Sequence, residues 1–441
     1  MKKLLIGLIF LSFGCKKELE TIIPIKETVK SISIIRKGDK SYDFDGYKVS
    51  PDARQLGKDY WLNVPVLTDT ITSAIDKNID GINPIWKGFT TSQIAGDFNN
   101  DGYIDVFNPG TGQYLGKPTD YYGFYIWNPK TKTFDTWDLL TNVSKPYFGQ
   151  GQYKSIPTYL NDDNYVDIVL FDSYDEASGD KGIYEPIRVI LSDGNGGYKL
   201  IDCPVGLGKY HHSGDIGDLD GDGIDDIVIC TGPEVILGKG SKTSPYFTDW
   251  KTVDYRVAGL EVYYASIKNI IGDNKNDLIL GSNGSALSKS RILENIGNDF
   301  KLDSSLLFPK NNQLYLDYKY DDLNNDGRVD IIGVSVASYD YRSWSIDVFI
   351  QDDKGRFNIN NDYIYYKINV SRTSTTNTTD WKSRLIYQDF NGDGIKDITY
   401  IDSHNFLNKL EKKTVFIRKG KVFEEEYINQ YDPFLGGTKR Y

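Results

Sequence analysis

Apolar residues in this chain come in short alternating runs, each entered from an acidic stretch: YIDVFNP from Tyr103, VDIVLFD from Val166, DDIVICTG from Asp225, NDLILGS from Asn276, VDIIGVS from Val329 and KDITYID from Lys396. A period of two predicts β-strands. A further short strand precedes the acidic stretch, as in SQIAGDF and SRLIYQDF. A hairpin pattern follows each pair: GFYIWNPKTKTFDTW, RVILSDGNGGYKLID, EVILGKGSKTSPYFTDW, RILENIGNDFKLDS, DVFIQDDKGRFNIN and TVFIRKGKVFEEEY. Gly, Asn and Asp in the middle of these supply the positive φ that tight turns need. Each unit therefore holds four antiparallel strands, with no helical period between units.

The acidic stretches repeat as well. GDFNNDGYIDVF from Gly96, GDLDGDGIDDIV from Gly217, DDLNNDGRVDII from Asp321 and QDFNGDGIKDIT from Gln388 all fit D-x-[DN]-x-D-G-x-x-D followed by apolar residues. Two weaker copies, YLNDDNYVDIVL from Tyr159 and NIIGDNKNDLIL from Asn269, hold Asn164 and Asn274 where the others have glycine, the next best residues for a left-handed backbone. The first positions fall at 97, 159, 218, 269, 322 and 389, a spacing too regular for chance and too long for one hairpin. Four-stranded units in series are the signature of an all-β fold, a β-propeller of four-stranded antiparallel blades spanning residues 91–430. Residues 31–90 carry no acidic loop, but SISIIRKGDKSYDFDG resembles the last hairpin in layout. This segment supplies either a degenerate seventh blade, the expectation favoured here, or an appendage to six. Residues 431–441 form a tail.

Within a loop, oxygen ligands at positions 1, 3 and 5, a backbone carbonyl at 7, a carboxylate at 9 and a glycine at 6 meet the demands of a hard cation with many oxygen ligands, that is Ca2+. Alternate positions of a curled loop point the same way, so Asp218, Asp220 and Asp222 converge, Asp226 closes from the next strand, and Asp225 is expected to point away. An EF-hand would need Glu at position 12 and flanking helices. Here position 12 of the third loop is Ile229 and the flanks are strands. The alternative for these loops is a set of metal-free Asx turns.

With these motifs in view, residues from about 90 to 430 resemble the FG-GAP or VCBS repeat proteins, which include the integrin α-subunit propeller. The resemblance implies a structural Ca2+ in each full loop. The ligands it implies are Asp97, Asn99, Asp101, Tyr103 (backbone) and Asp105 in the first loop, and Asp218, Asp220, Asp222, Ile224 (backbone) and Asp226 in the third. In the fifth they are Asp322, Asn324, Asp326, Arg328 (backbone) and Asp330, and in the sixth Asp389, Asn391, Asp393, Ile395 (backbone) and Asp397. Tyr159 in the second loop and Ile271 in the fourth break the pattern, so weak binding or none is expected there.

Composition narrows the partners. The 441 residues carry 51 basic against 62 acidic side chains, a formal net charge of −11, which argues against nucleic acid and suits a cation. The start, MKKLLIGLIFLSFGCKKELE, reads as a secretory signal over residues 1–14, and it resembles a bacterial lipoprotein signal in which Cys15 is lipidated. Residues 15–30 would then be a tether from an outer membrane or cell surface. Of the remaining cysteines, Cys203 and Cys230 either pair in an oxidising compartment or stay as buried thiols. No nucleophile elbow, phosphate loop or zinc motif is present.

The three histidines are His211, His212 and His404. GKYHHSGD is the one cluster with catalytic potential: Tyr210 with His211 or His212 would serve as acid and base in a polysaccharide lyase, and otherwise the pair packs the channel. Aromatic clusters such as DYYGFYIW and YDYRSW offer rings to a glycan or protein. The expected function is a calcium-stabilised, lipid-anchored binding propeller for a glycan or protein ligand, with an extracellular carbohydrate-active enzyme as the alternative.

Overall fold

The structure, a computed structural model, describes the strands and tight turns between residues 94 and 428. Residues 1–93 and 429–441, and connections such as 109–122, 173–186, 204–210, 254–261, 283–289, 303–312, 358–369 and 389–394, lie outside that description. The signal, Cys15, the tether, the candidate seventh blade, Tyr210, His212, His404 and the first six residues of the sixth loop fall there.

The described residues form six four-stranded antiparallel sheets, each built from four consecutive strands. The first is β1 to β4 (Ile94–Gly96, Asp105–Asn108, Gly123–Asn128, Thr133–Trp137) and the second β5 to β8 (Gln152–Thr158, Asp167–Asp172, Arg188–Ser192, Tyr198–Asp202). The third is β9 to β12 (Ser213–Gly217, Asp226–Cys230, Val235–Gly240, Phe247–Val253) and the fourth β13 to β16 (Val262–Lys268, Asp277–Ser282, Arg291–Asn295, Phe300–Leu302). The fifth is β17 to β20 (Gln313–Asp321, Asp330–Ala337, Ser343–Phe349, Val370–Thr373) and the sixth β21 to β24 (Lys382–Gln388, Asp397–Asp402, Lys413–Lys419, Val422–Ile428). The four middle sheets are described most completely.

The first strand of each sheet lies against the first strand of the next, from β1 through β5, β9, β13 and β17 to β21. This is the radial order of propeller blades. Burial follows it. All five residues of β7, β9 and β10 are buried, whereas the outer strands β8 and β12 alternate between buried and exposed. The core is a series of slabs, one between each pair of neighbouring sheets. Ile156, Val169, Val189, Ile216, Ile227 and Phe247 fill the slab between the second and third, and Val228, Leu237, Val262, Leu278 and Leu293 the slab between the third and fourth. Fully burying one such side chain is worth about 1.5–3 kcal/mol. A middle strand must therefore be apolar on both faces, and this explains the unbroken runs DIVIC and DIVLF.

Polar staples hold the first strands in register. Asp215 on β9 accepts the Ile267 N–H at 2.7 Å and the Ser266 hydroxyl at 3.0 Å. Asp317 on β17 accepts the Leu385 N–H at 2.8 Å. The Lys154 ammonium donates to the Gly214 carbonyl at 2.7 Å and lies 4.7 Å from the centre of the Tyr264 ring. Register shifts at Gln152/Lys154, Val262/Tyr264 and Tyr315/Asp317 set Lys154, Tyr264 and Asp317 just past a bulge, the device by which a strand re-aims its residues.

Gly214 has no room for a side chain: a Cβ there would come within 2.0 Å of the Phe171 ring and 2.4 Å of the Val228 carbonyl oxygen. Gly214→Ala should therefore destabilise the fold by about 3 kcal/mol or more, read as a lowered urea midpoint. An unchanged midpoint would contradict the packing of the second sheet on the third.

Candidate metal-binding loops

Each acidic loop joins the first and second strands of its sheet. Position 1 closes it: Asp218 accepts the Gly221 N–H at 2.6 Å and the Gly223 N–H at 2.9 Å, from positions 4 and 6, whereas Asp97 and Asp322 accept from positions 5 and 6, Asp101 with Gly102 and Asp326 with Gly327. Positions 3 and 5 make successive Asx turns, as Asp220 accepts the Asp222 N–H and Asp222 the Ile224 N–H. Such a curl needs a left-handed backbone at two positions, 4 and 6. Asn100 and Gly102, Gly221 and Gly223, Gly272 and Asn274, and Asn325 and Gly327 all have positive φ. The sequence reading found position 6 alone, although Asn or Gly at position 4 was a visible signal. The second loop departs: Asn164 is not left-handed, contrary to expectation, because Tyr159 at position 1 offers no short side-chain acceptor to the loop's N–H groups, as Asn269 does for Gly272 in the fourth.

Position 9 does something the spacing did not reveal. Asp226 is buried and accepts the Leu219 N–H at 2.8 Å and the Gly240 N–H at 2.7 Å, tying loop position 2 to the third strand of the sheet. The same pair of bonds recurs at Asp105 with Phe98 and Trp127, Asp167 with Leu160 and Ser192, Asp277 with Ile270 and Asn295, and Asp330 with Leu323 and Gln351. Asp397 accepts the Arg418 N–H at 2.8 Å. Both degenerate loops keep this staple, so it operates without a full ligand set. The residue at loop position 2 is apolar and enters the core, with Phe98, Leu160, Ile270 and Leu323 all buried.

The carbonyl at loop position 2 receives a side chain from the following sheet. Asn295 reaches the Leu219 carbonyl at 2.7 Å, Gln351 the Ile270 carbonyl at 2.9 Å, Arg418 the Leu323 carbonyl, and Tyr198 the Phe98 carbonyl at 3.0 Å. Asp225 points away from the Asp218, Asp220 and Asp222 cluster, as expected, but is no bystander: it accepts the Thr158 hydroxyl at 3.0 Å and joins the third sheet to the second.

The structure brings Asp218, Asp220 and Asp222 together, one carboxylate oxygen of each lying within 4.8 Å of the others. An ionised carboxylate has about four acceptor sites, so the backbone bonds leave lone pairs for a cation. An all-oxygen set of this kind fits a hard divalent ion. Part of the charge is already offset from within the chain. The Lys239 ammonium, on β11, bonds Asp220 and lies 3.0 Å from Asp222, and those two hydrogen bonds hold its pKa above the ordinary lysine value. Asp101, Asn99 and Asp97, and likewise Asp326, Asn324 and Asp322, follow the same turn geometry.

Burial pushes several of these carboxyls upward against the pull of their backbone donors: Asp97 and Asp330 to about 6, Asp167 to about 7, with Asp105, Asp226 and Asp277 also raised. His211 is buried, so it does not present an open imidazole to a substrate, and Cys203 and Cys230 are both free, buried thiols rather than a disulfide.

No known family profile matches the chain, and no curated protein matches it. Among solved structures it is similar to a protein from Lactobacillus plantarum, at 12% identity and a TM-score of 0.41, over 74% of this chain and 82% of that one. It is also similar to BBS1N, solved in complex with ARL6DN and soaked with lead, at 8% identity and a TM-score of 0.40, over 79% of this chain and 92% of that one. The Dos1 propeller is similar at 11% identity and a TM-score of 0.32, over 73% of this chain and 69% of that one.

Two measurements separate staple from ligand. In chelator, Asp277→Ala should cost about 2–4 kcal/mol, because two buried N–H groups lose their acceptor, whereas Asp222→Ala should cost under about 1 kcal/mol; equal losses would refute the division of roles. The Asp167 carboxyl, read by carbon NMR, should titrate near 7 in the folded chain. Its folded value lies above the unfolded one, so its contribution to stability is fullest below about pH 4 and is lost as the pH rises to about 7.

Proposed function

We propose that this chain is a calcium-stabilised propeller that binds a glycan or protein ligand outside the cell, tethered to an outer membrane or cell surface through a lipid on Cys15. The convergence of Asp218, Asp220 and Asp222 carries the calcium reading, supported by the same turn geometry in the first and fifth loops. The resemblance to FG-GAP or VCBS repeats belongs to this reading, as does a seventh blade from residues 31–90.

Bound at these loops, Ca2+ would supply positive charge and further coordination to carboxylates that burial otherwise disfavours. Asp97, Asn99, Asp101 and Asp105, and their counterparts in the third, fifth and sixth loops, would hold it, with the carbonyls of Tyr103, Ile224, Arg328 and Ile395. A binding role rather than catalysis fits a chain whose described histidine is buried among packed strands.

Millimolar Ca2+ should raise the melting temperature relative to excess chelator, by about 2 °C for each kcal/mol of linked binding energy. Coincident melting curves would end the calcium assignment. A polysaccharide pull-down with an ultraviolet assay for unsaturated sugar ends tests the rest: retention without new absorbance supports binding, and turnover lost in His211→Ala would overturn it in favour of the enzyme.

A further inference from the structure

The third loop differs from the other full loops by one carboxylate. Its position 3 is Asp220, where the first, fifth and sixth loops have Asn99, Asn324 and Asn391. Its ligand set therefore carries four acids, Asp218, Asp220, Asp222 and Asp226, against three in each of the others. The extra negative charge is met by a positive one from outside the loop. The Lys239 ammonium hydrogen-bonds Asp220 and lies 3.0 Å from Asp222.

Lys239 stands where the other sheets have no cation. It precedes Gly240, whose N–H bonds the position-9 acid Asp226. One residue before the matching donor, the other sheets have Ile126, Leu191, Glu294, Ile350 and Ile417. Ile126, Leu191 and Ile350 are buried, whereas the Lys239 side chain is 42% exposed. Among the described residues, this is also the sheet whose third and fourth strands pair through a bulge: the register shifts between Leu237 and Lys239, with Asp249 left-handed on β12. A bulge bends its strands and re-aims the side chains beside it. Trp250 lies over Gly238, where a Cβ would come within 2.5 Å of the ring. The local irregularity thus sits directly beside the lysine.

An exposed ion pair adds little to stability. What Lys239 supplies is positive charge at the two acids that a bound ion would also need. Arg328 is a partial counterpart in the fifth loop, but it reaches one acid, Asp326, from within the loop itself. The acids of the first loop have no basic partner among the described residues.

We propose, resting on the calcium reading of these loops, that Lys239 is a built-in competitor for the ion of the third one. Ca2+ enters there by driving the ammonium off Asp220 and Asp222, because a lysine bonded to the same carboxylates would lie close to the ion and be repelled by both of its charges. The third loop thereby fills at a higher calcium concentration than the first, despite its richer set of acids.

Calorimetric titration of the full chain with calcium chloride tests this against Lys239→Met, which keeps a long stem and removes the charge. The variant should show a Ca2+ site at least about tenfold tighter than the parent's third-loop site, and adding Asp222→Ala to the variant should abolish that gain. Melting gives a second reading. In excess chelator Lys239→Met should melt below the parent, because four acids lose their counter-charge, and in saturating Ca2+ the deficit should vanish; a lysine with only a structural part would leave it in both conditions. Should Lys239→Met fail to fold, nitrogen NMR of the lysine-labelled parent answers in its place: Ca2+ should move the Lys239 ammonium resonance, and a resonance that stays still while the chain binds Ca2+ would count against displacement. A parent that binds Ca2+ and a variant of unchanged affinity would overturn the competitor and leave the calcium reading standing. No Ca2+ binding in either chain would overturn both.

Discussion

In each of the first five sheets two backbone N–H groups point at one buried carboxylate, and the rest of the structure depends on that aspartate. At the mouth of each blade the chain leaves the first strand, curls and re-enters as the second. The donors of loop position 2 and of the third strand would otherwise be buried without partners. Asp226 and its counterparts receive both. The acid at position 9 is present in the second and fourth loops as well, although Tyr159 stands at position 1 of one and Ile271 at position 3 of the other: a buried donor left without an acceptor is costly.

That staple orders the neighbours too. By fixing loop position 2, it plants an apolar side chain in the core and turns a carbonyl toward the next sheet, where Asn295, Gln351, Arg418 or Tyr198 meets it. Closer to the first strands, Asp215 and Asp317 repeat the logic between blades, each accepting a backbone N–H of the following first strand. The apolar slabs supply most of the stabilisation, but they are not directional. The carboxylates decide the register in which the slabs meet.

The crowding of like charge in the third loop has a physical answer at two levels. Carboxylates about 4 Å apart repel by about 4 kcal/mol at an effective dielectric of 20. The structure relieves this by burying one acid among backbone donors, turning Asp225 to Thr158, and setting Lys239 against Asp220 and Asp222. The three acids that remain around one point, Asp218 half-buried and Asp220 and Asp222 exposed, make the geometry suited to a cation.

The sequence by itself determined the strands, their grouping in fours, the repeat and the acids of each loop. All of these follow from local rules: period two, turn chemistry and alternate positions in a curl. It also announced the degenerate loops, through Tyr159 and Ile271. Only the tertiary structure decided the two backbone bonds of position 9, the partner of Asp225 and the burial of His211, Cys203 and Cys230. Each depends on a group many residues away, such as Gly240 for Asp226 or Thr158 for Asp225, and the spacing within a motif carries no information about those.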